Sequence, residues 1–184
     1  MRILEISRFK KKITTHITPF VLEQGESLRT IGNEVDFFLV KGKGLFSYFT
    51  QRQALLRKIA EFKPDIVHAH FGLSGITAVL QHKVPVVITF HNGETLNWHV
   101  NLLSSVFSLR AKHVIYVAQH IYDLVYCKHN HYTILPCGVN MEECVVTPYA
   151  EARKQLGWSN DKKYILTDCV IIAVLILDDK RRIL

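Results

Sequence analysis

Three short stretches bring together residue types that do chemistry: "HAHFGLSG" from His68, "HNGE" from His91 and "SRFKKKITTH" from Ser7. His68 and His70 are two apart, so on a strand both imidazoles leave the same face. A protein zinc site needs three or four ligands. Two histidines are too few, and no acidic third ligand is spaced to complete the set, so no metal is expected. His68 is expected to pack and hydrogen-bond beneath the loops, and His70 to lie near the mouth of a cleft.

The second stretch ends an oily, β-branched run, "VPVVITFHNGE". Such a run reads as a buried strand that surfaces at its carboxyl end, which places His91 to contact a substrate. Asn92 adds an amide, and Gly93 lets the backbone approach a ligand closely. Glu94 has three readings: a general base, an acceptor for a sugar hydroxyl, or the cap of the helix that follows. The third stretch sets four bases within Arg8 to Lys12, followed by hydroxyls and His16. Lys11, Lys12 and His16 are its substrate-binding candidates, and its charge attracts anions. His129 and His131 flank Asn130 in a loop and are expected to be exposed.

These residues are useful only if strands deliver them to one place. "RILEI", "EVDFFLV", "DIVHA", "VPVVITF", "HVIYVA" and "YTILP" read as six strands. Helical stretches alternate with them. One starts at Thr18 as N-cap with Pro19 in its first turn. Another, "RQALLRKIAEF", sets Leu55, Leu56, Ile59 and Phe62 on one face. "SGITAVLQ", "HVNLLSSVFSLR" and "QHIYDLVYCK" are the others. Strands alternating with helices predict an α/β doubly wound, mostly parallel Rossmann-like sheet. In such sheets ligands bind outside the carboxyl ends of the strands. All three stretches open on that edge.

The chain has 184 residues and a net charge of +7. That length allows one domain plus a piece of another, here 1–146 and 147–184. Cys127, Cys137, Cys144 and Cys169 lack C-x-x-C spacing, and "MRILEIS" is too short for a signal segment, so reduced thiols and a cytoplasmic protein are expected. The longest apolar run, "CVIIAVLIL", has nine residues, against the ~20 that span a bilayer. It reads either as an aggregation-prone tail or as a seventh strand pairing with the sheet edge. No G-x-G-x-x-G follows the first strand, which argues against a dinucleotide cofactor.

"PDIVHAHFGLSG", "VPVVITFHNGE", "ILPCGVNMEEC" and "EARKQLGW" resemble the N-terminal half of retaining GT-B glycosyltransferases of the family-4 kind, over roughly residues 1 to 164. The resemblance implies two Rossmann-like domains facing across a cleft. The N-terminal one holds a carbohydrate or lipid-linked acceptor, and the other a nucleotide-sugar that is a co-substrate, with no further cofactor. It implies a catalytic place for His91 beside the transferred sugar. Family members usually carry H-G-x-D there; here the glycine is shifted and Glu94 replaces the aspartate. The turn at Pro136, Cys137, Gly138, Val139 and Asn140 matches the family's junction to the second domain, which makes Gly138 and Asn140 substrate-binding candidates. After Leu166 the resemblance stops. No Glu-x7-Glu motif follows, so a chain truncated before its donor-binding domain, and inactive alone, is expected.

Two other functions compete. A stand-alone Rossmann-like module would dock its "KKK" and "KGKG" patches on an anionic membrane, peripherally on its inner face. Nucleic acid is not an expected partner, because Phe9 alone interleaves the bases. A metal hydrolase built on His68, His70 and His91 is the third reading.

Overall fold

In a computed structural model, residues 1–138 and 146–159 are described, together with the backbone of strands at 163–167 and 173–177. Two compact units divide the chain, Met1–Gly138 and Val139–Leu184.

The first unit is built on six strands: β1 (Arg2–Arg8), β2 (Glu34–Val40), β3 (Ile66–His70), β4 (Val86–Phe90), β5 (His113–Tyr116) and β6 (Tyr132–Ile134). They form one sheet in the order β2-β1-β3-β4-β5-β6, and every neighbouring pair is parallel. Parallel strands require crossovers that put helices on both faces, so central strands are buried on both sides. Leu4 and Ile6 of β1, Val67 and Ala69 of β3, and Ile88 and Phe90 of β4 accordingly form the core.

The strand order reverses between β1 and β3: β2 lies outside β1 on one side, and the chain then continues through β3 on the other. The two connections diverge there and leave a crevice at the carboxyl ends, the place where doubly wound sheets bind ligands.

The helices are α1 (Pro19–Thr30), α2 (Phe46–Thr50), α3 (Arg52–Phe62), α4 (Gly72–Val79), α5 (Trp98–Ser108) and α6 (Gln119–Leu124), with a 3-10 turn at Asn92–Glu94. Thr18 stands at the N-cap of α1 with Pro19 after it, yet its hydroxyl makes no capping bond. Proline's fixed φ and the chain entering in extended form start the helix without that bond. α3 buries Leu55 and Ile59 and ends at Lys63 in left-handed backbone. The short α2 is additional to the helices expected from the sequence.

α5 is inverted. It buries Asn101, Ser104, Ser105 and Ser108 and exposes Trp98, Leu102, Val106 and Leu109. The cause is its close packing on α4: a Cβ on Gly72 would lie 2.4 Å from Cβ of Ser104. Only small side chains fit that seam, so Leu102 and Val106 face outward, while Leu103 and Phe107 pack against the edge of the core.

In the second unit α7 (Tyr149–Gln155) is followed by β7 (Lys163–Thr167) and β8 (Ala173–Leu177), an antiparallel pair that forms its own sheet. The expected seventh strand on the main sheet edge takes a different partner. It pairs with β7 instead, in a register from Lys163↔Leu177 to Thr167↔Ala173. No helix among the described residues is long and apolar enough to cross a membrane.

Candidate functional site at the strand ends

The site begins with a carboxylate in an unlikely position. Glu5 lies in the middle of β1 and is fully buried. It pairs in register with His68 of β3, and neighbours in a parallel sheet share a face. His70, two residues on, shares it too, and in the next strand Thr89 stands in register with His70. Three adjacent strands therefore lay one polar ladder across one face of the sheet.

Hydrogen bonds close the ladder. Nε2 of His70 is 2.8 Å from Oε2 of Glu5. Nδ1 of His68 is 3.2 Å from the same carboxylate, and its Nε2 is 2.8 Å from Oγ1 of Thr89. Nδ1 of His70 is 3.4 Å from Nε2 of His91, which follows β4. On the far side of His91, Nδ1 is 3.8 Å from the thiol of Cys137. Phe20 of α1 and Phe71 both lie with ring centroids 4.7 Å from that of His91. Phe71 is held in left-handed backbone at φ +69, where a non-glycine residue is strained by about 1–3 kcal/mol.

Burial sets the charges. For Glu5 burial opposes ionisation, but the attraction and hydrogen bonds of His68 and His70 outweigh it and hold the carboxyl at about 2. Burial pushes the His70 imidazole below its usual value. His91 is driven to about 3, first by burial and then by the neighbouring histidines. Near neutral pH the Glu5 carboxyl is therefore ionised and burial favours neutral rings at His70 and His91.

Glu94 is a cap, but not of the helix that follows it: it serves its own 3-10 turn and the start of the earlier α4. Its Oε1 accepts from the backbone N–H of Gly72 at 2.8 Å, at the start of α4, and from that of His91 at 3.3 Å. With His91 it makes the reciprocal contact of a capping box. Burial, against those backbone bonds, raises its carboxyl to about 7. Asn92 and Gly93 are exposed beside it.

The candidates expected from the sequence separate into four groups. His91, Asn92, Gly93 and Glu94 meet at the carboxyl end of β4. His70 does not lie at the cleft mouth: it is fully buried, because Phe20 packs over it (centroids 6.3 Å apart) and Glu5 draws its ring into the sheet. Lys11 and Lys12 are exposed in the loop after β1. That loop is closed by Lys10 N–H to His16 O at 2.9 Å and by Nδ1 of His16 to Lys10 O at 3.2 Å. His16 also stacks on Phe9. Gly138 is exposed, and Asn140 lies outside the described residues.

Two expectations need correction. His129 is buried, not exposed: its Nε2 bonds Ala111 O at 3.1 Å and its Nδ1 accepts from His131 N–H at 2.9 Å. It ties the approaches to β5 and β6 together, and His131 alone is exposed. The acidic third group judged absent beside His68 and His70 is Glu5, whose donor atoms and theirs lie within 4.8 Å of one another. Those atoms hydrogen-bond to one another. A metal would need lone pairs where Glu5 is met by N–H groups.

Arg8 was counted with the basic loop, but it is used internally. It donates to Oγ of Ser47 at 2.9 Å and to Gly42 O at 2.5 Å, and lies over the Tyr48 ring. Glu5 and Phe20 were missed altogether. For Glu5 a signal existed: one acid inside "RILEI", a strand that must be buried on both faces, demands a partner.

A parallel six-stranded Rossmann-like sheet with its polar cluster at the switch-point strand ends is the architecture of one half of a GT-B glycosyltransferase. The chain belongs to Glycosyltransferase Family 4, whose profile matches residues 14–143. Among solved structures it is similar to sucrose-phosphate synthase from Thermosynechococcus elongatus, with a TM-score of 0.68 and 16% identity over 88% of this chain and 53% of that one. It is also similar to Anabaena HepE in complex with UDP-glucose (TM-score 0.59, 14% identity, 85% of this chain and 50% of that one). MurG of Acinetobacter baumannii gives a TM-score of 0.50 at 13% identity, over 80% and 50%. At these identities the likeness concerns the fold. The chain spans about half the length of those three structures. No curated protein matches it in sequence.

Proposed function

We propose that this chain is the acceptor-side half of a glycosyltransferase that moves a sugar from a nucleotide-sugar to a hydroxyl of a carbohydrate or lipid-linked acceptor, with retention. The observation that carries the reading is the family match over residues 14–143, which includes His68, His70, Thr89 and His91 of the polar ladder. In this mechanism the bond from the anomeric carbon to the diphosphate oxygen breaks, and the acceptor oxygen bonds to that carbon on the same face. The acceptor's proton passes to the leaving diphosphate. His91, neutral and walled by Phe20 and Phe71, lies beside the sugar. The exposed Asn92 and Gly93, with Lys11, Lys12 and His16, bind the acceptor, and Gly138 and Asn140 are the family's junction residues by their place in the sequence.

The nucleotide-sugar is the co-substrate, and a facing domain holds its diphosphate. Each charge-assisted hydrogen bond to a diphosphate contributes about 1.5–3 kcal/mol. Three such bonds missing weaken donor binding by at least ~10³, so residues 1–184 alone turn over negligibly.

The test is a titration of the 15N-labelled chain with oligosaccharides and, separately, with UDP-glucose, read by backbone amide shifts. Oligosaccharides are expected to move signals of His91, Asn92, Gly93 and the loop from Lys10 to His16, and UDP-glucose alone to move none at equal concentration. No response to any carbohydrate, or one confined to the opposite edge of the sheet, would sink the reading.

Peripheral contact with an anionic membrane is a second reading, favoured by the outward apolar face of α5. α2 joins α5 through Phe49 and Phe107, and before it the exposed Lys41 and Lys43 precede the exposed Leu45 and Phe46. Bases beside outward apolar residues suit an interfacial helix on an acidic surface, as on the cytoplasmic leaflet. Co-sedimentation with vesicles should then depend on anionic lipid and weaken with salt; binding indifferent to both removes this reading.

A further inference from the structure

We propose that Glu5 fixes the tautomer of His91 through His70, so that His91 presents an unprotonated Nδ1 to the crevice as a hydrogen-bond acceptor for a ligand hydroxyl. Glu5 and His70 are positioning residues in this scheme; neither touches the ligand. The proposal deepens the functional reading above by naming what His91 recognises: an O–H donor, and not an anion or a carbonyl oxygen.

The argument follows donors and acceptors along the chain of contacts. An ionised carboxylate only accepts hydrogen bonds. The 2.8 Å contact from Oε2 of Glu5 therefore places the proton of His70 on Nε2. A neutral imidazole has one N–H and one lone pair, so Nδ1 of His70 is left as an acceptor. The atom facing it at 3.4 Å is Nε2 of His91, which must donate. Nδ1 of His91 is then the lone pair. Its neighbours agree: the His91 side chain accepts from the backbone N–H of Glu94 in the capping box, and the Cys137 thiol, 3.8 Å away, its pKa raised further by partial desolvation, is a weak S–H donor. A sugar hydroxyl is a stronger donor than a thiol and competes for that nitrogen.

His68 does not break the sequence. Its Nδ1 donates to Glu5 and its Nε2 accepts from Thr89, so one buried carboxylate sets the proton positions on two rings directly and on a third at one remove. Among the described residues, the titratable groups facing His91 are His70 and His68 from β3, Glu5 of β1 behind them, Glu94 of its own turn and Cys137 after β6. The neighbours from α1 and the α4 start, Phe20 and Phe71, are apolar. Among the described residues no base stands near enough to impose the opposite tautomer.

The experiment reads the ring nitrogens directly. In 15N-labelled chain, long-range correlations within the imidazoles distinguish protonated from bare nitrogens. The expected pattern is N–H at Nε2 of both His70 and His91 and a bare Nδ1 at both, unchanged for His91 between pH 8 and 5. In Glu5→Met, and independently in His70→Phe, the His91 signals should shift to values averaged between tautomers while backbone signals remote from the site stay in place. If Glu5→Met fails to fold, His70→Phe carries the comparison, and the wild-type pattern is decisive by itself.

A proton found on Nδ1 of wild-type His91 overturns the proposal. So do His91 shifts unmoved by either variant. Signals of His68 Nδ1 and His70 Nε2 that change on adding EDTA overturn it as well, because those atoms would then hold an ion. The measurement needs no sugar: the expected tautomers without a carbohydrate response sink the functional reading alone, and the reverse pattern with such a response sinks only this one.

Discussion

Two polar regions open on the same edge of the sheet and behave in opposite ways. The ladder of Glu5, His68, His70, Thr89 and His91 is buried, and each nitrogen or oxygen faces a specific partner across a strand pair. The loop from Lys10 to His16 is exposed along most of its length and is held by bonds between its own ends. Both are rich in ionisable residues. Where water is excluded, each charge and tautomer is fixed by its neighbours and carries a large free-energy stake. Where water has access, the same kinds of residue are screened and contribute field rather than stability.

Three measurements would break or sharpen that contrast. The largest effect belongs to Glu5→Ala, which strands two buried histidine N–H groups. A loss of about 3–5 kcal/mol is expected from denaturant midpoints at unchanged slope. A loss under about 1 kcal/mol would mean that the ladder is looser than its distances indicate.

The second concerns pH. His91 binds its proton far less readily when folded, at about 3 against an ordinary 6.5, and His70 shifts in the same direction. The unfolded chain therefore takes up protons first as pH falls below 6.5, and stability declines. Glu5, held at about 2 against 4.5, adds to the decline only below pH 4.5. Glu94 works the other way. Raised from 4.5 to about 7, its contribution is full below 4.5 and is lost as pH rises through 7. Glu94→Gln should gain on the wild type by roughly 2–3 kcal/mol between pH 4.5 and 7. A difference that stays constant over that interval would refute the neutral, buried carboxyl.

The smallest effect on stability is expected in the loop. Replacing Lys10, Lys11 and Lys12 together by alanine should change unfolding free energy by no more than about 0.5 kcal/mol, while association with vesicles of anionic lipid falls. A stability loss above about 1 kcal/mol would erase the distinction between the two regions.

Much of this arrangement was legible in the residue order. The span of β2, Glu34–Val40, and that of α3, Arg52–Phe62, follow from pattern alone. His91 at the end of β4 follows from an apolar run meeting a polar knot. What failed did so for definite reasons. His70 was placed at a cleft mouth because the sequence does not say that Phe20, fifty residues earlier, folds over it. His129 was placed in solvent because a loop histidine between polar residues gives no sign of the backbone carbonyl of Ala111 that buries it.

The sequence alone determined the alternation of strands and helices, and through it a parallel sheet with chemistry at the carboxyl ends. Those are consequences of local periodicity and of the two-residue repeat of a strand. Only the tertiary structure decided that Glu5 meets His68 and His70, that α5 turns its serines inward, and that Glu94 caps α4. Each of these depends on which strands become neighbours and how closely two helices approach, and no local pattern encodes distances between residues that lie far apart in the chain.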